Sequence, residues 1–150
     1  MGSMYRNVAI VAVLLVAGAA AYYALTITAA PVSDTPQKKE FGQAVPPNFP
    51  TDIPIENGAQ VQQSYAMDEQ AGSEQLTVVF LSKKSVQENY IVYLAFLRDH
   101  QWSVLNMNDD ATVSAVYGTK AQYDINVTIS EHALPGVEAS QVSISILKKA

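Results

Sequence analysis

Residues 123–130 read Tyr123-Asp124-Ile125-Asn126-Val127-Thr128-Ile129-Ser130, an unbroken alternation of apolar and polar side chains. A period of two sends alternate side chains to opposite faces, so the segment is a strand with one dry face and one wet face. Val142-Ser143-Ile144-Ser145-Ile146 repeats the arrangement. Working back along the chain, Thr112 to Thr119 sets Val113, Ala115 and Tyr117 on one side, and Leu76 to Leu81 aligns Leu76, Val78 and Phe80. Trp102 to Met107 and, more weakly, Gln60 to Met67 complete the set of predicted strands. Turn formers cluster between them, at Ala71-Gly72, Asn106 to Asp110, Gly118 and Leu134-Pro135-Gly136.

A single helix interrupts the strands. Ser85 and Glu88 have capping-box spacing, and Val86, Tyr90, Tyr93, Leu94 and Leu97 then share one helical face. The predicted order is β-β-α-β-β-β-β. An antiparallel sheet with one solvated face needs a cover for the other, and one amphipathic helix supplies it. The expected fold is therefore α+β, an antiparallel sheet of about five to six strands with one helix packed on one face, over residues 53–150. Trp102, just after the helix, is expected to fill the junction between helix and sheet, its indole N–H seeking a partner.

Upstream the chemistry changes. From Asn7 to Ser33 there is no Asp, Glu, Lys or Arg, and residues 8–27 read VAIVAVLLVAGAAAYYALTI. As a helix, twenty residues span about 30 Å, the thickness of a bilayer core. Tyr5, Tyr22 and Tyr23 lie near the two ends, where aromatic rings favour the membrane interface. Arg6 precedes the run, which by the positive-inside rule keeps residues 1–7 cytoplasmic and exports everything after the span. The run exceeds the roughly 7 to 15 residues of a signal core, and Pro31 follows the most obvious cleavage site, so an uncleaved anchor is expected over a secretory signal. Met1-Gly2-Ser3 is read as an added leader ahead of a native start at Met4. Small residues at Ala17, Gly18, Ala20, Ala21 and Ala24 read as alanine-rich filler more than as a helix-packing stripe. Residues 28–52 carry Pro31, Pro36, Pro46, Pro47 and Pro50 among polar residues and are expected to form an extended tether.

The 150 residues are 49% apolar and 15% charged, enough for one domain and its core. Lys and Arg number 9 against 14 Asp and Glu, a net charge of -5, so nucleic acid is not an expected partner. The absence of cysteine excludes disulfides, thiolate metal sites and cysteine nucleophiles.

No catalytic, cofactor or metal site is predicted. Asp99-His100 and Glu131-His132 lack metal-ligand spacing and read as ends of a helix and a strand. Asn106 to Asp110 resembles a calcium loop only superficially: the sixth and twelfth places hold Ala111 and Tyr117, not glycine and glutamate. A hairpin turn is the better reading. Asn126-Val127-Thr128 fits a glycosylation sequon but reads as ordinary strand chemistry. The feature left over is apolar surplus. Ile91 to Leu97 is wholly apolar, so Val92 and Phe96 widen the helix stripe, and Val79 and Leu81 lie opposite Val78 and Phe80. These four are the predicted interface; Tyr90, Tyr93 and Trp102 are the alternative, a ligand groove between helix and sheet.

Phe49-Pro50-Thr51-Asp52-Ile53-Pro54-Ile55-Glu56-Asn57-Gly58-Ala59, followed by the helix with Tyr90 and Leu94 and by Gln101-Trp102-Ser103-Val104, resembles small bacterial extracytoplasmic domains. Those domains open on a proline-aspartate-proline segment and an I-x-x-G-A turn and carry a helix followed by x-W-x-V. The resemblance covers residues 49–148 and implies an anchored α+β domain of unassigned activity, with no catalytic residue carried across. The expected function is a non-catalytic, single-pass membrane protein whose exported, periplasmic or extracellular domain is an accessory subunit of an envelope complex, held to lipid by residues 8–27. A module for lipid or cell-wall ligands and a pilin-like filament subunit are the alternatives. Pro31 and Pro36 weigh against the filament, because they break the long continuous helix such assembly uses.

Overall fold

The computed structural model describes residues 37–68, 72–132 and 139–150. The expected membrane helix, 8–27, and the first part of the expected tether lie outside the described residues. Among the described residues no helix is long and apolar enough to cross a membrane.

The elements are β1 (Gln37–Glu40), β2 (Gln60–Asp68), β3 (Glu74–Ser82), α1 (Val86–Asp99), β4 (Ser103–Asn108), β5 (Val113–Lys120), β6 (Tyr123–Glu131) and β7 (Ser140–Lys148). The strands form a seven-stranded sheet in the order β1-β2-β3-β7-β6-β5-β4, and every neighbouring pair is antiparallel. The α+β class and the single helix agree with the expectation. The strand count does not, because β1 was not predicted.

One face is dry. Val78 and Phe80 on β3, Val142, Ile144 and Ile146 on β7, Ile125, Val127 and Ile129 on β6, and Val116 on β5 are at most 1% exposed. On β5 the expected apolar side is the wrong one. Pairing sets Val116 opposite Val127, so Val113, Ala115 and Tyr117 point to the other face, and Gly118 leaves room beneath Leu97 of the helix.

The helix starts where the sequence says: the Ser85 hydroxyl accepts from the Glu88 N–H, and the Glu88 carboxylate accepts from the Ser85 N–H. It ends on Gln101 in the left-handed region, at φ 61°, with the Trp102 N–H donating to the Leu97 carbonyl at 2.9 Å. This tight reversal turns the chain straight into β4. The helix carries the chain from β3 past three strands to the far edge, packing on β4, β5 and β6.

The other half of the dry face is covered by a segment expected to be tether. Phe49 and Ile53 are 5% and 4% exposed, and Phe41, Ile55 and Ala59 pack around them. Asn48 donates to Glu74 at 3.5 Å and Ser82 donates to Glu56, so residues 48–56 run beside β3 from its first residue to its last. The tether expected over 28–52 and the domain start expected at 53 are therefore corrected: the folded unit already includes residues 37–52. Proline there removes backbone donors and stiffens a coil that lies over a sheet face, where no ladder requires those donors.

The opposite face carries no described element. Its cross-strand rows are set by register; one runs Tyr65, Thr77, Ser145, Asn126, Tyr117, Asn106 from β2 to β4. Between those strands the face holds one ionised side chain, Asp124, paired with Lys149 at 2.8 Å.

Candidate functional site

The two edges of the sheet differ. An open edge strand offers unpaired N–H and C=O groups to any other strand, and charge or brevity is the usual defence. At β1 the edge is four residues, Gln-Lys-Lys-Glu, all exposed, with Lys38 and Glu40 paired at 2.8 Å. At β4 the edge reads Ser-Val-Leu-Asn-Met-Asn, with no charge at all. Leu105 is 62% exposed and Met107 is 53% exposed. The register slips between Val104 and Asn106, so Leu105 is a bulge residue.

The helix extends this apolar edge. Gln87 donates to Asp109 at 3.4 Å, which fixes the start of α1 beside the end of β4. The two elements run in opposite directions. Four helical residues on from Gln87 advance about 6 Å and two strand residues back from Asp109 about 6.6 Å, placing Ile91 level with Met107. Ile91 is 58% exposed. Leu105, Met107 and Ile91 thus mark an uncharged apolar flank on an edge that the bulge alone interrupts and that no other described strand covers.

The predicted interface residues sit elsewhere. Phe96 and Val79 are each 8% exposed and Val92 and Leu81 are half-buried, so these four do not form the free patch that the sequence suggested. Phe96 belongs to the core cluster, and α1 packs on β4, β5 and β6 while Tyr93 reaches the Pro54 carbonyl of the coil. Val79 does lie on the open face, but is closed in by its cross-strand neighbours Gln63 and Ser143.

The predicted groove is filled. Tyr90 is 5% exposed and Tyr93 2%, and the Tyr93 hydroxyl donates to the Pro54 carbonyl at 2.7 Å. Burial pushes the Tyr93 phenol well above its ordinary range, so it stays protonated and donating. Trp102 is half-buried against the core as expected, but its indole N–H has no partner among the described residues. Neither a hollow of about 220 Å³ along β1 and β2 nor one of about 110 Å³ at Asn106, Asn108, Ala115, Tyr117 and Asn126 is lined by these rings.

A buried polar cluster escaped the sequence reading. Asn89, 3% exposed, donates to the Ser82 hydroxyl at 2.8 Å and the Ser140 hydroxyl at 2.9 Å. Ser140 in turn donates to the Lys84 carbonyl at 2.7 Å. Ser82 donates to Glu56 and accepts from the Lys84 N–H at 3.1 Å. The Ser82 oxygen is fully buried and its hydrogen-bonding capacity is used up, so it is no nucleophile despite a carboxylate and a lysine nearby. The cluster ties the ends of β3, α1 and β7 and the Glu56 turn into one knot. An asparagine on an apolar helix face is the only trace of it in the sequence.

The Ser82 hydroxyl, aided by the Lys83 N–H and the Lys84 ammonium, holds the Glu56 carboxyl below its usual range against a smaller opposing effect of burial. A carboxyl whose folded value is depressed stabilises the fold above its unfolded value, and that contribution disappears as pH falls through the folded one. Glu56→Gln is expected to lower the urea midpoint at neutral pH and to flatten its decline below about pH 4.3. Parallel slopes for variant and parent in acid would disprove the link.

His100 caps the helix, its Nδ1 lying 3.0 Å from the Phe96 carbonyl oxygen, and His132 follows the last residue of β6. Among the described residues no group of three His, Asp or Glu is placed to hold a metal. Asp110 accepts from the Thr112 N–H and hydroxyl at 2.9 and 2.8 Å, which makes Asn106 to Asp110 the β4 strand end and turn.

No family model, curated protein or solved structure matches the chain.

Proposed function

We propose that the chain is a non-catalytic, single-pass membrane protein whose α+β domain stands outside the cytoplasm and serves as an accessory subunit by accepting a strand from an envelope protein at β4. The observation that carries the reading is the β4 edge, uncharged, unpaired by any other described strand and flanked by Leu105, Met107 and Ile91. Backbone groups of an open edge supply affinity to any extended segment, and the side chains beside it supply selection. The charge-free run at 8–27 supports the anchor, and Arg6 before it supports an inward N-terminus. The saturated Ser82 supports a non-catalytic role.

The test uses the full chain in its native membrane. A photocrosslinking residue at Leu105 or Met107 is expected to give a discrete adduct with a membrane or envelope protein, and one at Lys39 on the opposite edge is expected to give none. Leu105→Lys with Met107→Lys should abolish recovery of that partner. Equal adducts from both edges, or recovery unaffected by the two lysines, would overturn the edge reading. Recovery of a mature form lacking the first thirty residues would overturn the anchor.

A further inference from the structure

The open face of the sheet carries a second inference, resting on Asn106 and Asn108 of β4 together with Tyr117 and Asn126 on the strands inward of it. Around the hollow of about 110 Å³, Asn106, Asn108 and Asn126 surround Tyr117, with Met107 and Ala115 completing the lining. Asn106 and Asn126 are exposed, and among the described residues none exchanges a side-chain hydrogen bond with their amides; Asn108 is held by the Val113 carbonyl at 3.0 Å. The row continues inward through Ser145 and Thr77, whose hydroxyls meet at 3.0 Å. A linear molecule lying along this row from β4 to β7 would meet a new strand about every 4.8 Å, passing Asn106, Tyr117, Asn126 and the half-buried Ser145 in turn, while Thr77 beyond them is buried.

The chemistry of the occupant follows by elimination. A polyanion needs cations, and this face has none unpaired between β2 and β4 in a chain of net charge -5. A lipid or an apolar protein sheet would bury the Asn106 and Asn126 amides without partners, at about 1–3 kcal/mol each. A neutral polyhydroxylated chain satisfies every group: a side-chain amide can donate to one hydroxyl and accept from its neighbour, and an aromatic ring offers an apolar surface to the C–H face of a sugar. We propose that the outer sheet face binds a neutral glycan, seated against Tyr117 between Asn106 and Asn126.

The experiment follows backbone amide shifts of the full-length chain in a detergent without a sugar headgroup, titrated with cellohexaose and with N-acetylchitohexaose. At least one is expected to saturate, with shifts centred on 106, 117 and 126. Its affinity should be unchanged between about 0.05 and 0.2 M salt, because no counterions are released. Asn106→Ala with Asn126→Ala is expected to weaken binding roughly tenfold or more while preserving the dispersed spectrum, and Ile91→Ser to leave it unchanged. Failure of both sugars to saturate, shifts centred off this face, or parental affinity in the double variant would each overturn the proposal. Sugar binding is read at Tyr117 and Asn126, inward of the edge, and strand capture by the crosslink at Leu105, so either reading can fail while the other holds.

Discussion

Tyr93→Ala is expected to destabilise the domain by about 3–5 kcal/mol, a large share of the 5–15 kcal/mol typical of a natural fold. Tyr93 joins three layers. Its ring is buried within the core shared by sheet and helix, and its hydroxyl holds the Pro54 carbonyl of the overlying coil. Alanine removes the ring and leaves a cavity between parts of the chain that cannot both close on it. Tyr93→Phe separates the two contributions: losing only the donor should cost about 0.5–1.5 kcal/mol, because the half-buried Pro54 carbonyl loses its partner. Urea unfolding followed by the fluorescence of Trp102, the one tryptophan, reads both variants. Equal midpoints for the phenylalanine variant and the parent would show that the coil is held by other contacts.

Asn89→Ala is the second large effect expected, about 1–3 kcal/mol. Its amide is the only described donor from the helix to the hydroxyls of both Ser82 and Ser140. These two side chains stand at the end of β3 and the start of β7, paired with each other in the sheet. Their other hydrogen bonds survive the substitution, which is why the cost stays below that of a broken core. Asn89→Asp distinguishes polarity from volume: it keeps the shape, loses the two donated bonds and places a carboxyl beside Glu56. It should be the more damaging at neutral pH and recover in acid, as the new carboxyl takes up a proton. A pH-independent loss would refute that account.

The sheet was legible wherever alternation met a solvated face, as along β6 and β7, because a period of two has no competing explanation. The helix was legible from Ser85 and Glu88 and from the placing of Val86, Tyr90, Tyr93 and Leu97. Residues 37–52 were misread. Five prolines in and before this region argue for extended coil, but from Phe41 onward the chain makes successive tight turns, closed by bonds such as Phe49 N–H to the Pro46 carbonyl and Ile53 N–H to the Pro50 carbonyl, and proline says nothing about whether such a segment is packed. Phe41, Phe49 and Ile53 carried that information, since a solvated tether has little use for aromatic and branched apolar side chains. The same omission spoiled the interface. With residues 37–52 read as tether, the apolar run of α1 exceeds the cover a sheet supplies, yet Phe96 is part of the core. Leu105 and Met107 were passed over for a converse reason: burial of an edge strand depends on which strand is last in the sheet, and sequence order does not reveal that β4 is.

The short charged β1 has a mechanical meaning. Load applied through the chain at Gln37 enters the sheet at its first strand, where four residues pair with β2. Pulled from that end at right angles to the strands, the hydrogen bonds rupture one after another like teeth of a zip, not all together in shear. β1 is therefore a mechanical fuse. It yields first and pays out slack up to Phe41, while the strands from β2 to β4 and the glycan-facing row remain in register.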